Sequence, residues 1–293
     1  VRRMRFFAFL MAVLLISSSL VFAQKKARKP EVGQAYNEGL DLAKKQKYEQ
    51  AITKFQTAVT KDDSFPEAYY MMGYCYKKIR NYEKAKEAFR NAIKLNKKFE
   101  VAYNALGNLL AAEGKNQQAI ATFQAVLAFN PNSAKANYGL GKIYYEQKNY
   151  KKAVEYLQNA VKAKPKYAKA YNILGLTLEK LKRYNEAIDA FKKAIANERR
   201  RSLKGDYYYR LGKVYVEAKK YDLGIQALKK ATTMSRNAMI IAGANFYLGD
   251  AYKHKGQKQK ALQYYEKAAK HRVWKQPAEY EIDMIKHPDK YAY

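Results

Sequence analysis

Residues 134–167 read AKANYGLGKIYYEQKNYKKAVEYLQNAVKAKPKY, and their spacing decides the fold. Leu140 and Tyr144 stand four apart, on one side of a first helix. Gly141 between them has no side chain, so a paired helix can approach its backbone closely. Lys148-Asn149 interrupts the pattern. Ala153, Leu157, Ala160 and Val161 then recur at helical spacing and place an apolar stripe on a second helix. Such a two-helix unit cannot bury its faces alone and needs neighbours on both sides.

The chain supplies those neighbours. Alanines recur at Ala51, Ala85, Ala119, Ala153 and Ala187, each 34 residues after the last. Gly39, Gly73, Gly107, Gly141 and Gly175 keep the same step, as do Phe55, Phe89, Phe123, Leu157 and Phe191. Gly212 and Gly249 mark two more units with a period of 37. In them Gly224 and Ala261 take the alanine place, and Leu228 and Tyr265 the aromatic place. With only 14 Gly and 6 Pro in 293 residues, few helix breakers compete with this pattern.

The unit resembles the tetratricopeptide (TPR) family, whose 34-residue repeat reads W-x2-L-G-x2-Y, then A-x3-F, then P. Leu140-Gly141, Tyr144, Ala153, Leu157 and Pro165 carry the likeness, as do Leu106-Gly107, Leu110, Ala119, Phe123 and Pro131. Tyr69, Tyr103, Tyr171 and Tyr208 hold the Trp place, while the first repeat departs with Ala35 and Glu38. The resemblance spans about residues 32–271. It implies an all-α, right-handed superhelical solenoid of seven helix-turn-helix repeats, with first helices lining a concave face. The expected organisation is a signal peptide at 1–23 and a basic linker at 24–31. Five repeats follow at 32–201, two longer ones at 202–271, and a capping helix and tail at 272–293. Three extra residues near 202–204 and 235–241 predict a second helix lengthened by about a turn at each place. Residues 277–286 read as the terminal cap, followed by a frayed tail.

The N-terminus points to export. Arg2, Arg3 and Arg5 precede an apolar run from Phe6 to Ile16, and Val21 and Ala23 suit cleavage after Ala23. Counted on to Ala23 the run approaches the length of a membrane span, so an uncleaved anchor is the alternative. The expected location is therefore periplasmic or secreted, with no integral membrane domain once cleaved. A single cysteine, Cys75, rules out an intrachain disulfide and reads as buried packing. Loss of the three arginines takes the net charge from +31 to +28. Such a balance attracts anionic partners at long range without defining a site.

No motif with a catalytic mechanism is present: no H-E-x-x-H, no G-x-x-x-x-G-K-[ST], no G-x-S-x-G and no paired C-x-x-C. His254, His271 and His287 lack a carboxylate–histidine motif and read as surface residues, so no metal and no cofactor is expected. Most of the 28 tyrosines sit at repeat core places rather than forming stacking platforms, which argues against nucleic acid.

In TPR proteins unit positions 2, 5, 9, 12 and 13 face the groove. Here those positions are no more basic than the rest of the chain. One stretch stands out. Repeat 3 offers Asn104 and Asn108 with small Ala111 and Ala112 and no charge. Tyr70, Tyr74 and Lys78 precede it in repeat order, and Lys135, Tyr138, Lys142, Tyr145, Lys169 and Asn172 follow. Asparagine amides donate and accept hydrogen bonds to an extended peptide, tyrosines form walls, and lysines take a carboxylate. The Lys-Asn-Asn-Lys-Arg clamp of co-chaperone TPR proteins is not completed, since Asn104 and Ile173 stand at its lysine and arginine places. The expectation is a non-catalytic scaffold of a bacterial-type cell envelope that binds a protein or peptide partner in the groove. The alternative is a binder of anionic lipid headgroups or acidic polysaccharide through diffuse charge.

Overall fold

A computed structural model describes residues 29–291. The expected signal peptide at 1–23 lies outside them, as does most of the basic linker. Among the described residues the chain is helical throughout, with fifteen α-helices and one short 3₁₀ turn. No helix among them is long and apolar enough to cross a membrane. Contacts divide the chain into two compact units, with the boundary between Ala102 and Tyr103.

Within the first unit, α1 (Pro30–Lys44) pairs with α2 (Tyr48–Lys61), and α3 (Pro66–Lys78) with α4 (Tyr82–Leu95). Helix α1 opens with Pro30, whose missing N–H would be unpaired there anyway, so the last residues of the expected linker are already helical. Val32, Phe55, Phe65, Met72 and Cys75 form the core of this unit. Burial pushes the Cys75 thiol up to about 11, so it is not a ready thiolate.

Helix α5 (Glu100–Ala112) crosses the unit boundary, and α6 (Asn116–Phe129) follows it. The second unit then continues with α7 (Ala134–Glu146), α8 (Tyr150–Ala163), α9 (Ala168–Lys180) and α10 (Tyr184–Asn197). Next come α11 (Arg201–Glu217), α12 (Tyr221–Met234), α13 (Ala238–His254) and α14 (Lys258–Ala269). Within this unit the hairpins from α7 on pack each on the next, and one buried cluster from Ala153 to Ala227 joins several repeats. This is the nearest-neighbour core that a repeat chain requires.

Two local devices repeat down the chain. A Cβ at Gly141 would sit 2.6 Å from Leu157 Cγ, and one at Gly175 would sit 2.7 Å from Phe191 Cε1. The repeat glycine is therefore the slot that receives the large residue of the second helix. The first helices also end alike. Lys148 N–H donates to the Tyr145 carbonyl at 3.0 Å and Asn149 N–H to the Tyr144 carbonyl at 2.9 Å, with Lys148 at φ 60°. That pair of bonds is a Schellman cap. The same turn recurs with Gln46, Arg80, Gly114, Lys182, Lys219 and Gly256 in the left-handed position.

The structure corrects three sequence expectations. The extra residues of the long repeats do not extend second helices, since α10 and α12 keep 14 residues each. They lengthen the first helices, α11 and α13, to 17 residues from the 13 of α7 and α9. Four residues join the helix and the preceding loop shortens by one, from 164–167 to 198–200, which accounts for the three. Helix α15 (Arg272–Lys286) begins five residues before Pro277, which lies inside it. His271 caps its start by accepting from Val273 N–H at 3.2 Å, and Trp274 Nε1 donates to the Met239 carbonyl at 3.1 Å. Beyond it Pro288–Tyr291 forms a 3₁₀ turn instead of fraying, because Asp283 accepts from Lys290 at 2.8 Å and Tyr291 at 2.5 Å.

Candidate functional site

In the first unit Tyr70, Tyr74 and Lys78 lie one turn apart along α3, a single helical stripe. The Tyr70 ring sits 5.8 Å from Phe89, and burial, followed by the neighbouring Tyr74, pushes its phenol above the ordinary value. The Lys78 ammonium stands 5.4 Å over the Tyr74 ring.

The second unit places its expected site residues unevenly. Asn108 is exposed on α5, whereas Asn104 is only 3% exposed, so one amide of the pair meets solvent. On α7, Lys135 and Lys142 are exposed and Tyr138 and Tyr145 are half-buried. Tyr138 packs 5.0 Å from Tyr167, whose hydroxyl is pushed up to about 12 by burial and by that neighbour. Lys142 pairs with Glu146 at 3.4 Å on the same helix. On α9, Lys169 is exposed, but Asn172 is 8% exposed and its Oδ1 is buried without a protein donor.

Further along the same row of first helices lies a denser group. Lys213 Nζ donates to Glu179 at 2.8 Å, lies 3.5 Å from Glu217, and stands 5.8 Å from the Tyr247 ring centroid. Burial disfavours the Lys213 ammonium, but its bond to Glu179 and the surrounding anionic groups outweigh that, so its pKa is raised. The Glu217 carboxyl is raised in turn, with burial outweighing its lysine. Tyr145 and Tyr209 are raised first by burial, and both sense the charges of Glu179, Arg210 and Lys213, which places all five in one neighbourhood. Arg210 Nε is buried there with no protein acceptor. A buried donor or acceptor left unpaired costs about 1–3 kcal/mol.

Glu179, Lys213 and Glu217 all stand at groove-facing unit positions, but nothing in one repeat alone marks them as a group. The signal for their union was an acid at position 12 of repeat 5 with a lysine at position 9 of repeat 6, 34 residues on. In repeats 3 and 4 the same two places hold Ala111 and Lys142, and no pair forms there. Among the described residues no group of three or more His, Cys, Asp or Glu is placed to hold a metal ion. His254 instead stacks on Tyr221 at 5.2 Å, and His287 pairs with Asp283.

With this geometry in place, comparisons give a consistent picture. A tetratricopeptide repeat model matches residues 104–168, 138–202, 174–239 and 209–277, a second matches 66–99, and a TPR repeat model matches 39–79. No curated protein matches the chain in sequence. Among solved structures, YrrB, described as a TPR protein with an unusual peptide-binding site, is 23% identical with a TM-score of 0.59. That match covers 70% of this chain and 99% of YrrB. MamA is 30% identical with a TM-score of 0.51 over 56% of this chain and 93% of its own. PilF of Pseudomonas aeruginosa is 20% identical with a TM-score of 0.61, covering 75% and 98%.

Proposed function

Because the chain belongs to the tetratricopeptide repeat family, we propose that it is a non-catalytic scaffold of a bacterial-type cell envelope. On this reading it binds an extended peptide or protein segment on the first-helix face of its second unit. One observation carries the reading. Arg210 Nε and Asn172 Oδ1 are buried polar atoms without protein partners, on neighbouring first helices of that face. A peptide backbone has both complements, a carbonyl for the guanidinium and an N–H for the amide oxygen. Half-buried Tyr138 and Tyr145 and the paired Lys213 give amphipathic walls around them. The likeness to YrrB speaks for the fold alone, yet it illustrates that the fold can carry a peptide site. The envelope setting rests on the basic, apolar and small-residue order of residues 1–23.

The test is to select peptides from a random library on the chain and measure their affinity at about 0.15 M salt, where screening falls within ~8 Å. Arg210→Met and Tyr145→Ala should each weaken the selected peptides at least tenfold with circular dichroism unchanged. Lys162→Ala, on the second helix α8, should leave affinity as it was. Wild-type affinity in Arg210→Met would remove the proposal.

A further inference from the structure

We infer that the edge of the second unit formed by the turns between first and second helices is a docking track for a linear acidic polysaccharide. This surface borders the first-helix face where Tyr150 packs 6.0 Å from Tyr145 but shares no lining residue with it, and the inference stands whether or not that face binds peptide.

Three open cavities follow one another along this edge, in three successive repeats. The first, about 440 Å³, is lined by Lys148, Tyr150 and Lys151. The second, about 470 Å³, is lined by Lys182, Arg183 and Tyr184, with Lys220 from the next turn. The third, about 310 Å³, is lined by Lys219, Lys220 and Tyr221, with Lys255 from the turn beyond. Each thus repeats one composition, a tyrosine flanked by cations, because each occupies the same place in its repeat. Two carboxylates also line them. Glu186 is held by Arg183 through two bonds of 2.6 Å, and Asp222 by Lys255. Both are thereby neutralised, and each cavity keeps a net charge of +2, with Lys220 counted in both of its cavities.

The positions of the cations favour a purpose for the charge. Lys148, Lys182 and Lys219 adopt φ near +60°, where Gly114 and Gly256 stand in other repeats. The left-handed conformation is strained for any residue that carries a Cβ and free for glycine. Three lysines of this edge therefore stand where glycine fits more easily. Both the row and its contents select the ligand. Cations spaced at the repeat pitch match the regularly spaced carboxylates or sulfates of a polymer. A tyrosine ring in each cavity, at Tyr221 with one face already stacked on His254, offers apolar surface to a sugar ring, which a lipid headgroup or an acidic peptide does not need.

The probe is a series of oligogalacturonates of increasing length, titrated against the full chain at about 0.15 M salt. Affinity should rise with length until the oligomer spans three cavities and then level. The variant Lys148→Gly, Lys182→Gly, Lys219→Gly removes three charges in favour of the residue the backbone prefers, and should bind at least tenfold more weakly. Its helicity should be unchanged. The control Lys162→Gln, Lys192→Gln, Lys229→Gln loses the same charge from second helices and should lose less than twofold. An equal loss in both variants would show diffuse attraction and overturn the proposal. So would equal affinity for polyglutamate of matched length, or binding confined to anionic vesicles.

Discussion

Lys142 in repeat 4 and Lys213 in repeat 6 occupy the same repeat position, one residue after the slot glycine, and their surroundings differ completely. Lys142 is 51% exposed and pairs only within its helix, with Glu146. Lys213 is 24% exposed and reaches back to Glu179 of the preceding repeat, whose side chain is 8% exposed. Lys213 meets Glu179 of the preceding repeat, and the place of Glu179 holds Ala111 in the repeat before Lys142. The longer first helix α11 adds a turn before this position, and the glycine it brings, Gly205, packs against the Met234–Ser235 backbone. Repeat period alone says nothing about which neighbour a side chain meets. The regular repeats build an ordinary solvated surface, and the long repeats build a desolvated polar one.

The sharpest way to break this comparison is through the glycines. A Cβ at Gly205 would lie 2.2 Å from Ser235 N, a backbone atom that cannot step aside. Gly205→Ala should cost about 3 kcal/mol, the upper end for overpacking. Gly141→Ala meets a movable Leu157 side chain at 2.6 Å and should cost about 1–2 kcal/mol. Urea melts followed by circular dichroism compare them, and equal costs would deny repeat 6 its special crossing.

Next come the two lysines. Lys213→Met leaves Glu179 buried without its ion partner and should cost about 2 kcal/mol, below the range for a fully buried pair because Lys213 retains solvent contact. Lys142→Met should cost less than about 0.5 kcal/mol, as exposed pairs do. Thermal melts of the two variants decide whether the desolvated pair matters to the fold.

A pH experiment sharpens the picture at repeat 7, where Asp250 stands at the same repeat position. Burial raises the Asp250 pKa despite the 2.6 Å bond from the Tyr265 hydroxyl. A carboxyl raised in the folded state favours folding while protonated, so its contribution is complete below the unfolded value of about 3.9 and fades as pH rises through the folded one. Asp250→Asn keeps an acceptor for Tyr265 and should flatten that part of the stability–pH curve. An unchanged curve would mean that Asp250 titrates normally.

The smallest effect tests where the two kinds of repeat agree. Lys148→Gly and Lys219→Gly both relieve a left-handed side chain and should stabilise by about 0.5–1 kcal/mol alike. A difference between them, read from the same urea melts, would mean that the caps are not equivalent.

Much of the fold was legible because its signals are local. The slot glycine and its large partner lie 16 residues apart in every repeat, as Gly141 and Leu157 do, and the Lys148-Asn149 break marks the turn. The candidate site was legible only in part. Tyr138, Tyr145 and Lys169 keep solvent exposure as expected, whereas Asn104 is covered and Asn172 is buried down to an unpaired Oδ1. Position in a repeat predicts which way a Cα–Cβ bond points, not how far the next helix closes over it. The cap was misplaced for a similar reason. Pro277 signals a helix start in sequence, whereas Trp274 docking on Met239 draws the start back to Arg272.

The paired helices, their number and their order follow from the residues alone, since an apolar stripe and a turn are properties of one short segment. Which helix absorbs the three extra residues, and which charges leave water together, is settled by packing in three dimensions. Those outcomes depend on packing between segments distant in sequence, as where Gly205 meets the Met234–Ser235 backbone and Lys213 reaches Glu179.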